Sequence, residues 1–362
     1  MGWQGYRQFE RLPHMDLFFA AALGAAAAAA LIVRYRALHL AVTGDQPGGQ
    51  PQKFHDEPTP RIGGLAVVIG LVTAGIAGTL SGAVTAPFLW LMVAALLPAF
   101  LGGFAEDLTR RVGVAARLFM TLVSAAIAFV WLDAALYRSD IQWLNVAFSY
   151  WPLSLAGTLL AVAGLAHAMN IIDGYHGLSA GVGVLALLGL ALVAHRIGDP
   201  QLAAVGCAVA GAYAGFLLLN WPFGKIFLGD GGAYLLGTTL AIFSAQLVGR
   251  HGEVSPWFPL VLVVYPVWET LFSMLRRATF DATPIGAPDA RHLHSLVYKV
   301  LGRRNAVTSV PFWLGQGAMV AIAVAHYSNT PLLMAQAYGF LGIYCVLYGV
   351  VACLARSRVK TG

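Results

Sequence analysis

The amino-acid sequence predicts an all-α polytopic membrane protein built as one domain over 1–362, with about eleven transmembrane helices, an outside N-terminus and a cytoplasmic C-terminus. Three observations carry this expectation. Of 362 residues, 59% are hydrophobic and 10% charged, where soluble domains carry about 25% charged residues. The apolar runs are close to the roughly 20 residues that cross about 30 Å of hydrocarbon as a helix, and they lack the period-two alternation of membrane barrels. The basic residues, finally, sort by side of the membrane.

In chain order the runs fall at 16–34, 62–82, 86–105, 114–132, 152–169, 177–194, 201–219, 233–249, 257–275, 307–325 and 331–355. The first is alanine-rich and follows Arg7 and Arg11, as a signal peptide would. Its apolar core exceeds a typical h-region, so it is assigned as an anchor. With the N-terminus outside, 17 of the 22 Lys and Arg residues lie in inside loops or the tail, leaving Arg7, Arg11, Arg138, Arg196 and Arg250 outside. The net charge of +6 is thus an orientation signal, and no nucleic-acid partner is expected. Cys207, Cys345 and Cys353 lie inside apolar runs without metal-like spacing and read as packing residues.

The outside connections are short except 133–151, whose Trp143, Tyr150 and Trp151 suit an interfacial aromatic belt. The longest inside connection, 276–306, carries Leu293, Leu296, Val297, Val300 and Leu301. That i, i+3, i+4, i+7, i+8 spacing predicts a short amphipathic helix on the membrane surface, offering His292, Ser295 and Lys299 on its other face.

Four polar loops recur on the predicted inside: Gly103-Phe-Ala-Glu-Asp-Leu108, Asn170-Ile-Ile-Asp-Gly-Tyr-His-Gly-Leu178, Phe227-Leu-Gly-Asp-Gly-Gly232 and Pro288-Asp-Ala-Arg-His-Leu-His294. Ionisable groups here would cost several kcal/mol each in hydrocarbon without partners. They must line a wet cavity or the membrane edge. Asp107, Asp173 and Asp230, with Glu106 beside the first and Glu269 inside the ninth span, repel one another if they converge, unless a cation such as Mg²⁺ or Mn²⁺ lies between them. Taken singly, each Asp could equally end a helix or pair with a nearby Arg, as Asp107 with Arg110 or Arg111. Gly174 and Gly177 flank His176, and Gly229, Gly231 and Gly232 surround Asp230, so backbone amides there can approach an anion at a helix start. Arg291, His292 and His294 add cationic donors opposite the carboxylates, as a diphosphate would require. Nothing charged converges on His39, His195, His251 or His326, and His14 and His167 are uninformative.

These motifs resemble the polyprenyl-phosphate N-acetylhexosamine-1-phosphate transferases, the membrane family that includes phospho-N-acetylmuramoyl-pentapeptide transferase and GlcNAc-1-phosphate transferases. His55-Asp-Glu-Pro-Thr-Pro-Arg-Ile-Gly-Gly64 looks like the family's Pro-Thr-Pro-Arg-x-Gly-Gly segment, and Glu106-Asp107 like its acidic pair. Asn170 to Leu178 resembles Asn-x-x-Asp-Gly-x-Asp-Gly-Leu, Phe227 to Asp230 resembles Phe-Met-Gly-Asp, Pro266-Val-Trp-Glu-Thr270 its ninth-span counterpart, and Arg291-His-Leu-His294 the cytoplasmic histidine motif.

The resemblance implies Mg²⁺-dependent transfer of sugar 1-phosphate from a UDP-amino-sugar to undecaprenyl or another polyprenyl phosphate, with release of UMP, at a bacterial inner membrane. By position it implies Asp230 and Asn170 as metal ligands, and Asp107, Asp173 and Glu106 as catalytic carboxylates, with Asp107 the preferred base. Asn220, Phe227, Gly174 and His176 would surround the nucleotide, and His292, His294, Arg291, Lys53 and His55 would grip phosphate and sugar. A homodimer is compatible with this reading. Glu106, His176 and Ala233 depart from the family's Asp, Asp and Ser, and His176 replaces a hard oxygen ligand by an imidazole. They keep two alternatives in view: a catalytically altered family member, and a lipid or solute transporter.

Overall fold

The computed structural model describes residues 14–45, 58–281 and 289–360. Lys53 and His55 therefore lie outside the described residues. The architecture is all-helical apart from one two-residue antiparallel pairing, Gly44–Asp45 with Thr59–Pro60. The helices are α1 (Met15–Arg34), α2 (Arg36–Thr43), α3 (Gly63–Ser81), α4 (Ala86–Thr109), α5 (Val114–Trp131), α6 (Gln142–Phe148), α7 (Trp151–Ile172), α8 (Leu178–Arg196), α9 (Pro200–Asn220), α10 (Gly229–Arg250), α11 (Trp257–Leu262), α12 (Val264–Arg276), α13 (Leu293–Val300), α14 (Asn305–Ala325) and α15 (Thr330–Lys360).

Among the described residues ten of these are long and apolar enough to span a membrane, where the sequence predicts eleven. The difference is the ninth run, broken at Val263 into α11 and α12. Pro266 is the cause, because it brings no N–H for the Leu262 carbonyl and its ring crowds that position. The Leu262 carbonyl instead accepts from Gln316 Nε2 of α14 at 2.7 Å. The break is thereby satisfied by a neighbouring helix, as non-helical backbone at membrane depth requires.

Helix α10 is the centre of the bundle. It packs against α3, α4, α5, α7, α8 and α9, and 17 of its 22 residues are buried. Small residues permit this closeness, as they do between membrane helices generally. A Cβ added to Gly103 of α4 would stand 2.5 Å from the Asp230 carbonyl carbon and the Gly231 nitrogen, so the two backbones touch. At the same end of the bundle the 58–64 segment laces onto the loop before α10: Phe227 N–H donates to Pro60 O, and Gly63 and Gly64 N–H donate to Phe227 and Leu228 carbonyls at 2.8–2.9 Å.

The amphipathic pattern at 293–301 does form α13, but its polar face is not solvated. His294 and Ser295 are buried, and the helix packs on α14 and α15.

Candidate functional site

One cavity of about 370 Å³ opens where the ends of these helices meet. Its lining includes Asp45, Arg61, Asn170, Asp173, Gly174, His176, Asn220, Phe227, Asp230, Asp289, His292 and His294. Residues from all but one of the four polar loops thus share a wall; the missing loop is the one bearing Glu106 and Asp107.

Asp107 lies beneath the cavity instead. It is 1% exposed, and its Oδ1 and Oδ2 accept the backbone N–H groups of Asp230 and Gly231, each at 2.9 Å. Those are donors of the first turn of α10, which no intrahelical carbonyl can satisfy. A carboxylate placed there also faces the positive end of the helix dipole. Arg61 completes the set, its Nη2 standing 3.1 Å from Asp107 Oδ1 and 3.3 Å from Asp230 Oδ1. Gly229 permits the approach: its φ is +77°, and a Cβ there would meet Arg61 O at 2.2 Å and Asp107 Oδ2 at 2.6 Å. The preferred base of the sequence reading thus links α4 to α10 and does not itself line the cavity, whose wall it meets at Arg61, Gly229 and Asp230. Glu106 is also away from the cavity; its Oε2 accepts Val112 N–H at 2.8 Å and closes the turn between α4 and α5.

Asp230 occupies the junction. Its Oδ1 accepts from Asn170 Nδ2 at 3.0 Å and from Arg61, and its Oδ2 is paired with the Arg117 guanidinium of α5. Asp173, at the end of α7, takes no hydrogen bond or ion pair on its carboxylate among the described residues, yet it lines the cavity. Burial, then repulsion from Asp230 and Asp107, pushes its pKa up to about 8, although part of its surface remains open to the cavity. That is the behaviour of a carboxylate lacking a counter-ion.

The Asp173–Gly177 turn is held from above by one face of α14. Asn305 Oδ1 accepts His176 N–H at 2.7 Å, Ser309 Oγ donates to His176 O at 2.7 Å, and Trp313 Nε1 donates to Gly177 O at 3.0 Å. These three residues are spaced i, i+4, i+8, so a single helical stripe sets the turn. Asn220 fixes it from below, accepting Gly177 N–H at 2.6 Å and donating to Ile226 O at 2.7 Å. Both ends of the Asn220 amide are spent on the protein, so it positions two loops. The His176 ring lies 5.9 Å from that of Phe227, with Nδ1 3.3 Å from Pro222 O.

On the opposite wall His292 and His294 stack with ring centroids 5.1 Å apart. Glu269 Oε1, buried in α12, accepts Leu293 N–H at 3.1 Å and pairs with His292 Nδ1 at 3.0 Å, capping α13 and orienting the ring. Burial pushes the His294 pKa down to about 3, and Tyr265 Oη stands 3.2 Å from its Nδ1. His294 is thus a neutral hydrogen-bonding group, not the cation the sequence suggests. Arg291 is exposed and does not line the cavity; its carbonyl accepts from Tyr348 Oη at 3.0 Å. Arg61, Arg117 and Asp289, absent from the expected site, are brought to it by pairings with Asp230, Asp107 and Arg276 across the fold. Among them the Pro-Thr-Pro-Arg segment signalled Arg61 and the polar loop 288–294 contained Asp289, whereas Arg117 belonged to no motif.

No three His, Cys, Asp or Glu side chains among the described residues form a ready metal cage. Asp173, Asp230 and the Asn170 amide oxygen nevertheless bring hard oxygen donors to one cavity. That set fits an ion such as Mg²⁺, which takes one or two carboxylates and completes its shell with water and substrate phosphates.

Residues 89–248 match glycosyl transferase family 4. The chain is 30% identical over 254 residues, 69% of its own length and 68% of the relative's, to a Bacillus subtilis protein named "Probable undecaprenyl-phosphate N-acetylglucosaminyl 1-phosphate transferase". It is 28% identical over 347 residues, 84% of the chain and 80% of the relative, to the decaprenyl-phosphate N-acetylglucosaminephosphotransferase of Mycolicibacterium smegmatis. A phospho-N-acetylmuramoyl-pentapeptide-transferase of Synechococcus shares 34% identity over 248 residues, 64% of the chain and 67% of the relative. With the ordered motifs, the ten long apolar helices and these relatives in agreement, the chain belongs to glycosyl transferase family 4, the polyprenyl-phosphate N-acetylhexosamine-1-phosphate transferases.

Proposed function

We propose that this protein transfers sugar 1-phosphate from a UDP-N-acetylhexosamine to undecaprenyl or another polyprenyl phosphate, giving polyprenyl-diphosphate-sugar and UMP. The observation that carries the reading is the shared cavity of Asp173, Asp230 and Asn170, an anionic oxygen cluster walled by ring and backbone donors. In the reaction an oxygen of the lipid phosphate attacks the β-phosphorus of the nucleotide sugar. The bond from that phosphorus to the bridging oxygen breaks, and UMP carries the oxygen away. Asp230 and Asn170 would hold a divalent ion, Mg²⁺ or Mn²⁺, which would supply charge neutralisation to the diphosphate.

The residues then divide the work. Asp173, carrying no protein donor, keeps the attacking phosphate ionised. Asp107, assigned that role on the sequence, acts by fixing Asp230 at the head of α10, and is a positioning residue; Glu106 shapes the adjoining turn. Phe227, His176 and Gly174 offer a face to the uracil and ribose, and His292 with neutral His294 offers hydrogen bonds to phosphate or sugar. The cavity faces the cytoplasm in this reading, since the loops around it carry most of the basic residues. The product would begin a lipid-linked surface glycan such as O-antigen.

The test is UMP release by the purified protein from a panel of UDP-N-acetylhexosamines, with mass spectrometry of the lipid product. We expect release only with polyprenyl phosphate and a divalent ion, abolished by chelation and by Asp230→Asn. Solute or lipid flux in proteoliposomes without any product would refute the reading and favour a transporter.

A further inference from the structure

We propose that Tyr265 is a positioning residue that fixes the tautomer of His294: its hydroxyl proton goes to Nδ1, and the ring's own proton is left on Nε2, where it serves the cavity as a hydrogen-bond donor to a phosphate oxygen of the substrate. His294 is 3% exposed and neutral, because burial pushes its pKa down to about 3. A neutral imidazole carries one proton, so its outer nitrogen is either a donor or an acceptor. The partner of the inner nitrogen decides which.

Nδ1 stands 3.2 Å from Tyr265 Oη, and Tyr265 is itself buried in the first turn of α12. No other hydrogen bond reaches that hydroxyl among the described residues. If Nδ1 carried the ring proton it would donate to Oη, and the tyrosine O–H would be buried without an acceptor. If Tyr265 donates, Nδ1 accepts and both buried atoms are satisfied. An unmatched buried donor biases such an equilibrium about tenfold to a hundredfold, so the proton resides on Nε2. That nitrogen has an outlet: His294 lines the cavity, no hydrogen bond engages Nε2 among the described residues, and a Cβ added to Gly174 on the facing wall would stand 3.9 Å from it. Packing fixes the ring. His292 stacks on it with planes 9° apart, the Tyr175 ring meets it edge-on at 5.5 Å, and Phe312 packs 4.9 Å from the Tyr265 ring. The carboxylates whose charge acts on His294 are engaged elsewhere, Glu269 with His292 and Leu293 N–H, and Asp289 with Arg276 and Arg291 N–H. An ionised phosphate oxygen accepts and never donates, so an Nε2–H binds it where a bare Nε2 would repel it.

The experiment is a double-mutant cycle on the full-length protein in nanodiscs, read by UMP release with the most active UDP-N-acetylhexosamine of the panel above. Beside it runs NMR of protein labelled with ¹⁵N-histidine, in which His294→Gln assigns the His294 signals. Wild type should show the Nε2–H tautomer. Tyr265→Phe should show a mixture of tautomers and a kcat/KM about tenfold lower. A glutamine amide places an N–H donor near the position of Nε2 and has no tautomers, so His294→Gln should keep about a tenth of the wild-type kcat/KM. Adding Tyr265→Phe to His294→Gln should change the rate by less than about twofold, because the donor no longer depends on the hydroxyl. His294→Asn, whose shorter amide ends near the position of Nδ1, should lose about a hundredfold. An Nδ1–H tautomer in wild type, an unchanged tautomer in Tyr265→Phe, or the same loss from Tyr265→Phe in both backgrounds would each overturn the inference. Should Tyr265→Phe not fold, the wild-type tautomer alone decides. The kinetic arm rests on the reaction proposed above: a wild type that releases no UMP yet holds His294 as the Nε2–H tautomer would remove that reaction and leave the role of Tyr265 standing.

Discussion

Asp107→Asn and Asp173→Asn should fail in different ways, and the difference follows from their partners. Asp107 accepts two backbone N–H groups at 2.9 Å and the Arg61 guanidinium at 3.1 Å. An Asn of the same shape keeps one acceptor oxygen and turns an amide N–H₂ toward the second backbone donor. One charge-assisted bond is lost outright, worth about 1.5–3 kcal/mol, and a buried donor is left unmatched, at about 1–3 kcal/mol. Relief of a buried charge offsets part of this. A net loss of about 2–4 kcal/mol remains, together with a shift of Asp230 that should cost about a hundredfold in rate. Asp173 has no such partners, so Asp173→Asn should abolish turnover without lowering the unfolding midpoint. The assay is thermal unfolding in detergent followed by tryptophan fluorescence, run beside UMP release. If Asp107→Asn kept the wild-type midpoint while Asp173→Asn lost it, the division into staple and reactive carboxylate would be wrong.

Three further outcomes can be checked with the same measurements. Gly103→Val should separate α4 from α10, because its side chain meets backbone 2.5 Å away that cannot rotate aside; we expect about 1–3 kcal/mol of destabilisation and a large fall in activity. Gln316→Leu should leave the Leu262 carbonyl at the Val263 break without its 2.7 Å donor, costing about 1–3 kcal/mol while KM for both substrates holds. The pH dependence has a defined sign: a carboxylate raised from 3.8 to about 8 by folding contributes stability that is full below about pH 4 and is lost as pH rises through about 8. Chelator-treated wild type should therefore lose heat stability over that window, Asp173→Asn should lose less, and added Mg²⁺ should restore the wild type.

What could be read from the chain was set by local composition. Apolar runs near 20 residues located ten of the eleven expected spans, and three of the four polar loops anticipated Asn170, Asp173, Asp230, His292 and His294 around one cavity. The ninth run is one apolar stretch in the sequence but two helices in the fold, because Pro266 acts through a helix turn, and its tolerance depends on Gln316, fifty residues away. Asp107 looked like a base because acidity at a span end says nothing about direction; only the packing of α4 on α10 turns it onto two amide groups. Asn305, Ser309 and Trp313 carry no motif of their own, since their function lies in meeting a turn more than 125 residues earlier.

The enclosure of α10 bears on how the protein is made. Of the ten long helices it is the least apolar, and it opens on Gly-Asp-Gly-Gly, a start that partitions poorly into bilayer by itself. All six helices that surround it come earlier in the chain. A ribosome delivering the protein from its N-terminus therefore presents α10 to a socket whose walls have already been synthesised, and the polar head enters beside the Asp107 carboxylate that will hold it. The catalytic core is in this sense the keystone of biogenesis, placed last among its neighbours and dependent on them for its passage into the membrane.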